Sequence, residues 1–567
     1  MIKKQQKSSP AETIWNYVGI FILFICIVAV YSMFLHREFT YDDTIMIVRQ
    51  DAPKSINDIV RYFKEQYYPE LPYYRPVTKI SFLIQKAIHG NNPVPFHLFN
   101  AIVIGLAAVI VYTMLRLPAF DVPKIPALFA ATIFGLHPVV SASVYPAWGR
   151  DSLLSGFLII ATVYAFLRTG KFWYTTAIVL GTLALLSKEA AVVLLSIFAL
   201  ADILKLSEDS PGTDILKWLT RYLPIIAIYI GYFAVRHSLF KGRELEVTVF
   251  DHPTLPLLTP VYALQSILAP TWELIYEPRS WSIWFSLPRM IVTGVAIFLV
   301  AFVSVKQWSS IKRPVLFWIG WFALCILPTA NILEQETKYA ERFLFPAILG
   351  IIAIVFIVLK TYRNKTEFRW IAVPVGSILI IACMIITVYR HIFYKNNLVF
   401  YSQWLKFNPE YYLPNHAMGT VLYEQGRGAE AAKYYRKAIQ IKPDWPDSYL
   451  NLGVIYMDQQ NYDEATKCML EYIKLKPNSA KACYSLGVAL TRQEKYNDAL
   501  VYYARALEID PTYAEAHHNM GVIYHLQDQL EKAASHYRAA LKIDPGKQNT
   551  LHYLRMIENK GSQVTPK

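Results

Sequence analysis

The sequence predicts an all-α protein in two parts, a polytopic helical membrane bundle of about eleven spans followed by an α-solenoid. Three observations carry that expectation. Apolar runs, most of them about 18–23 residues long, recur through positions 1–391, enough to cross a hydrocarbon core of roughly 30 Å. The charged remainder repeats with a fixed period, its prolines Pro409, Pro443, Pro477, Pro511 and Pro545 standing 34 residues apart. The hydrophobic fraction, 54%, exceeds the 45–50% or so of an ordinary soluble domain, and the apolar runs account for the excess.

The first run, 14–35, follows Lys3, Lys4 and Lys7, is too long for a signal sequence and has no small-residue cleavage site, so it reads as a retained anchor. Ten more follow at 97–115, 125–140, 151–168, 172–187, 189–206, 217–235, 283–304, 314–330, 342–360 and 370–391. With the N-terminus inside, Lys and Arg gather in alternate loops, including Arg116 and Lys124, Lys205 to Arg221, and Lys360 to Arg369. That positive-inside pattern absorbs the formal charge of +14, and no basic-aromatic module points to nucleic acid. The run 258–275, broken by Pro270, reads as a helix at the membrane interface. Residues 1–395 then form the membrane domain, 36–96 a long external loop, and 396–411 a linker. Within that loop Lys79 and Lys86 suit a surface helix over 77–88. An odd number of crossings places the C-terminal part outside.

Gly419, Gly453, Gly487 and Gly521 share the 34-residue period, as do Ala431, Ala465, Ala499 and Ala533. This is the tetratricopeptide pattern, in which small residues let paired helices approach closely. Four repeats, 412–445, 446–479, 480–513 and 514–547, are followed by a cap and tail at 548–567. Stacked, they offer one concave face for an acceptor or partner protein. Asn451 and Asn519 occupy one repeat position, as amides for a peptide backbone or as polar filler. His517 and His518 diverge on a helix and make no metal site, and Cys468 and Cys483 read as buried thiols rather than a disulfide. The sequon at Asn364 falls in a cytoplasmic loop and is expected to be unused.

Polar pairs break the ends of the apolar runs: Asp42-Asp43, His137-Pro138, Arg150-Asp151, Lys188-Glu189, Arg236-His237 and Glu341-Arg342. Each alone has an ordinary reading as a helix stop, a tight turn or a snorkelling pair. The crossing count puts all of them on the external face, and ionisable groups near spans tend to mark function. A transporter would place such charges nearer the bilayer centre. A carboxylate at Asp42 or Asp43 can take a proton from a hydroxyl, and Arg150, Lys188, Arg236 and Arg342 can neutralise a phosphate. His137, Asp151, Glu189, Glu341 and Arg75 are supporting candidates.

The series Asp42-Asp43, Y-R-P-V at 74–77, F-H-L-F-N at 96–100, L-H-P-V at 136–139, G-R-D at 149–151, S-K-E at 187–189 and A-E-R-F-L-F at 340–345, followed by the repeats, resembles the transmembrane and tetratricopeptide-repeat O-mannosyltransferases and their prokaryotic relatives. The resemblance implies a GT-C fold, a polyprenyl-phosphate monosaccharide donor, inversion at the anomeric carbon and a first-loop aspartate as base, with Asp42 favoured. The family often reads G-R-x-D-L-L where this chain has Gly149-Arg150-Asp151-Ser152, which leaves the role of Asp151 open. The expected function is transfer of a mannose-like sugar to a hydroxyl, of protein Ser or Thr, at the external face of a bacterial, archaeal or endoplasmic-reticulum membrane. Alternatives are modification of a lipid-linked glycan or envelope polymer, or a non-catalytic scaffold. No metal ligand set is evident, and a need for a divalent ion stays open.

Overall fold

The computed structural model describes residues 10–40, 42–65, 67, 73–207, 209–240, 254–270, 287–306, 308–329, 341–362 and 366–562. Tyr41, Pro69, Pro72, the 271–275 end of the interrupted apolar run and Asn364 fall outside them. Among the described residues there are helices and turns and no strand. The chain divides into two compact units, 1–407 and 408–567.

The first unit contains α1 (Pro10–Ser32), α2 (Ile56–Tyr62), α3 (Pro76–His89), α4 (Pro93–Leu115), α5 (Lys124–Leu136), α6 (Pro138–Val144), α7 (Arg150–Phe166) and α8 (Lys171–Ser187). It continues with α9 (Leu194–Ile203), α10 (Ile215–Leu239), α11 (Thr254–Leu268), α12 (Leu287–Lys306), α13 (Trp308–Ile326), α14 (Ile348–Lys360), α15 (Thr366–Arg390) and α16 (Asn397–Phe407). Three stretches, Pro93–Leu115, Ile215–Leu239 and Ala372–Tyr394, are long and apolar enough to cross a membrane, and α5 with α6 makes a fourth if that bent pair is one span. The eleven-span count is therefore not reproduced by helix length among the described residues. Two physical reasons are visible: α8 and α14 stop after 17 and 13 residues, and Pro138 starts a new helix at 53° to α5. Positions 397–407, read as linker, form α16, which buries Phe400 and Trp404.

The first loop also differs from expectation. Phe82 and Leu83 of α3 are fully buried, but its lysines are structural ties rather than surface contacts. Lys79 pairs with Glu65 at 2.8 Å, and Lys86 donates to the carbonyls of Ile47, Val48 and Gln50 at 2.8, 2.7 and 2.5 Å.

The second unit stacks α17 (Tyr412–Glu424), α18 (Gly428–Ile441), α19 (Pro446–Asp458), α20 (Tyr462–Leu475), α21 (Ala480–Arg492), α22 (Tyr496–Ile509), α23 (Ala514–Leu526), α24 (Leu530–Ile543) and α25 (Gln548–Ser562). Gly487 and Gly521 show why the period demands glycine: a Cβ there would lie 2.6 Å from the Tyr503 and Tyr537 rings. All five cysteines are free, with Cys468 and Cys483 buried.

One periodic feature escaped the sequence. The turn joining the two helices of each repeat is left-handed at Gly426, Gln460, Glu494 and Asp528, with φ of 76°, 58°, 61° and 58°. Only the first is glycine, so the others carry the Cβ–carbonyl crowding of that region. Gln460→Gly and Glu494→Gly should each stabilise their helix pair by about 0.5–1 kcal/mol. Slower amide exchange in α19–α22 of the full chain is the expected readout, and faster exchange would refute the account.

Candidate functional site

The acid pair sits on a single turn that follows α1. The Met46 amide donates to the Asp42 carbonyl at 2.9 Å, opening a π turn over Thr44–Val48 whose carbonyl end Lys86 caps. The two carboxylates then diverge in role. Asp43 is fully buried; its Oδ2 accepts the Thr40 amide at 2.9 Å and its Oδ1 the Trp148 amide at 2.5 Å. Burial pushes its carboxyl up to about 8, against the downward pull of those two amides. Asp42 remains partly exposed. Asp43 thus holds the turn, and Asp42 is the one that keeps partial exposure.

A second group gathers around Arg75, which directly precedes α3. Its Nη1 lies 2.6 Å from Asp151 Oδ2 at the start of α7, and its Nε donates to Glu189 Oε2 at 2.9 Å, just beyond α8. Lys188 donates to Asp151 Oδ2 at 3.2 Å and to Ser152 Oγ at 2.6 Å. Burial draws the Lys188 ammonium down to about 8, with Asp151 opposing. The Lys188 Nζ lies 4.8 Å from the Phe343 ring centre, and the Arg342 guanidinium 4.9 Å from the same ring and 4.6 Å from Trp148. Trp148 is the residue whose amide binds Asp43, so the two groups are continuous.

Tyr67 links them again. Burial raises its hydroxyl well above the usual phenol range, and the charges of both Asp151 and Asp42 add to that rise. On α10 the Tyr232 hydroxyl lies in the combined field of Glu189, Arg236 and Arg75. Arg75, Lys188 and Arg342, with Arg236 at the edge, outnumber the acids Asp151 and Glu189, and the cluster favours an anion.

Other candidates are placed elsewhere. Arg150 is fully buried and bonds Gln85 Oε1 at 2.6 Å, the Phe96 carbonyl at 3.1 Å and Asn100 Oδ1 at 3.2 Å, its guanidinium against Phe82 and Phe99. It ties α3, α4 and α7 together and turns away from its neighbour Asp151. Glu341 pairs not with Arg342 but with Arg390, at 2.5 and 3.2 Å. Sequence reasoning missed Arg390 because a cation ending an apolar run reads as a snorkelling residue. His137 occupies the α5–α6 break, its Nδ1 accepting the Val139 amide at 3.2 Å and its Nε2 2.9 Å from the Ile267 carbonyl. In the repeats, Asn451 donates to the Tyr435 hydroxyl at 3.2 Å and Asn519 to those of Tyr484 and Tyr503, both at 3.3 Å, contacts internal to the solenoid. Among the described residues no group of three or more His, Cys, Asp or Glu side chains is arranged to hold a metal.

The geometry makes two predictions. Arg75→Met removes the cation shared by Asp151 and Glu189, leaving Asp151 to Lys188 alone among its ion pairs, and should cost about 3 kcal/mol, read as a lowered unfolding midpoint; an unchanged midpoint would remove Arg75 from its central place. Asp43, with its carboxyl raised to about 8, gives stability that is complete below about pH 4 and is lost as pH rises through 8. Midpoints measured from pH 4 to 8 should therefore fall in the wild type relative to Asp43→Asn, and parallel curves would contradict the burial argument.

Comparison with known proteins agrees with both parts of the chain. Tetratricopeptide-repeat family profiles match residues 419–460, 446–479, 487–528 and 514–547. A Caenorhabditis elegans protein O-mannosyl-transferase is 23% identical over 440 residues, 73% of this chain and 61% of its own length. Protein O-mannosyl-transferase TMTC3 of Mus musculus is 20% identical over 419 residues, 67% of this chain and 45% of its own. The chain thus spans about half the length of the curated relatives it matches. Among solved structures, MamA is 26% identical with a TM-score of 0.25, covering 25% of this chain and 85% of that one. YrrB, described as a TPR protein with an unusual peptide-binding site, is 21% identical with a TM-score of 0.27, covering 29% and 84%. This chain carries tetratricopeptide repeats and is homologous to the protein O-mannosyl-transferases.

Proposed function

We propose that this protein is an integral-membrane glycosyltransferase that moves a mannose-like sugar from a polyprenyl-phosphate donor to a hydroxyl, of protein Ser or Thr, at the extracytoplasmic face. The observation that carries the reading is a partly exposed carboxylate, Asp42, beside a buried cluster with more cations than acids. In this reading Asp42 takes the proton of the acceptor hydroxyl while the hydroxyl oxygen attacks the anomeric carbon from the face opposite the phosphate, so the carbon–phosphate oxygen bond breaks and the configuration inverts. The leaving phosphate gains charge and is met by Lys188 and Arg342, with Arg236 nearby. Arg75 is already engaged by Asp151 and Glu189 and keeps those acids from competing with the phosphate. The homology to protein O-mannosyl-transferases supports the reaction class. We assign the multi-pass topology to the first unit, and to the repeats, on the extracytoplasmic side, the engagement of the acceptor or a partner protein.

The purified 567-residue chain, given labelled polyprenyl-phosphate mannose and unfolded or extended acceptor polypeptides, should transfer sugar. Asp42→Asn should lower kcat by about 10²–10⁴-fold with little change in donor KM. Lys188→Met should chiefly raise donor KM. Full activity in Asp42→Asn would eliminate it as the base, and absence of transfer from every polyprenyl-phosphate sugar would eliminate the donor class.

A further inference from the structure

One short stretch of chain, from Arg390 to Phe400, bears on Arg342 from two sides. On the first side it occupies the acid that directly precedes Arg342. Arg390, the last residue of α15, donates to Glu341 Oε2 at 2.5 Å and Oε1 at 3.2 Å, and to the Pro138 carbonyl at 2.9 Å. On the second side it meets the ring on which Arg342 lies. The Arg342 guanidinium stands 4.6 Å from the Trp148 ring centre, and the Phe400 ring of α16 approaches that indole edge-on, 6.5 Å away at 74°. Arg390 and Phe400 are fully buried and Glu341 nearly so. Between them, positions 391–394 form a tight helical turn, and the Lys395 carbonyl accepts the Glu38 amide at 3.3 Å. Tyr394 and Trp404 pack on Phe400, each with its ring 6.0 Å away.

Each contact has a consequence for anion binding. A carboxylate one residue from a guanidinium is its natural competitor for a phosphate, and a two-point bond to a second guanidinium removes that competition. A guanidinium lying on an aromatic face keeps its N–H groups in the plane of the fork, so the tilt of the ring sets where those donors point. Building on the reading of Arg342 as a ligand of the donor phosphate, we propose that Arg390 and Phe400 are positioning residues for it. Arg390 keeps Glu341 from quenching Arg342, and Phe400 fixes the Trp148 ring that aims it. The stretch 390–400 thereby sets the affinity of the site for a polyprenyl phosphate without touching that ligand.

The test takes two readouts on the 567-residue chain in a phosphate-free maltoside detergent. One is the donor KM in sugar transfer; the other is the Kd for polyprenyl phosphate carrying no sugar, from the rise it causes in the unfolding midpoint. Arg390→Met and Phe400→Leu should each raise both constants about tenfold, with kcat held within about twofold. Adding Glu341→Gln to Arg390→Met removes the released acid and should return Kd toward the wild-type value. That double variant and Phe400→Leu also keep the test decisive where Arg390→Met alone does not fold. A fall in kcat at unchanged KM and Kd marks a merely structural role and overturns the proposal. Unchanged constants in every variant overturn it too, while leaving the transfer reaction standing. A wild type that binds polyprenyl phosphate but transfers no sugar, with Kd still raised in the variants, supports the positioning role and refutes the reaction. A wild type that does not bind polyprenyl phosphate overturns both.

Discussion

One guanidinium, that of Arg75, fastens three helix ends that are far apart in the chain. It reaches Asp151 at the start of α7 and Glu189 beyond α8 while itself opening α3. Each bond is charge-assisted and largely shielded from water, so the arrangement is stiff only while all the partners are present. Lys188 is secured through the shared Asp151, and Phe343 relays the arrangement to Arg342 and Trp148. The Trp148 amide then fixes Asp43 and hence the turn that offers Asp42. The acid and the cations are two ends of one hydrogen-bonded and stacked path.

Much of this site could be read from charges at the ends of apolar runs. Asp42, Arg75, Asp151, Lys188, Glu189 and Arg342 do converge, because burying an ionisable group at a helix end demands partners and the other helix ends are what supply them. What the sequence could not resolve was sidedness. Successive helical residues point about 100° apart, so Arg150 and Asp151 face different neighbours although adjacent in the chain. Glu341 likewise turned to Arg390 rather than to Arg342. Lys79 and Lys86 misled because an amphipathic helix with lysines looks alike whether the cations meet headgroups or cap nearby carbonyls.

The repeats were the most legible part, since a period of 34 fixes prolines, glycines and alanines at once. Their left-handed turns were not, because Gln460, Glu494 and Asp528 share no side-chain chemistry that announces the backbone they adopt. The membrane part was legible as apolar and helical but not as a count of crossings. His137-Pro138 was legible as the end of an apolar run, but not the second helix, α6, that leaves it at 53°.

Phe343 has two like charges near its ring, the Lys188 ammonium at 4.8 Å and the Arg342 guanidinium at 4.9 Å, and attracts both. That attraction offsets part of the repulsion between two cations held near one ring. An arriving anion relieves that repulsion, and the relief grows with the anion's charge. In the proposed reaction the donor is a phosphodiester with one negative charge, and the spent carrier is a monoester with up to two. In that reading the paired cations suit the charge that builds on the leaving phosphate as the sugar departs.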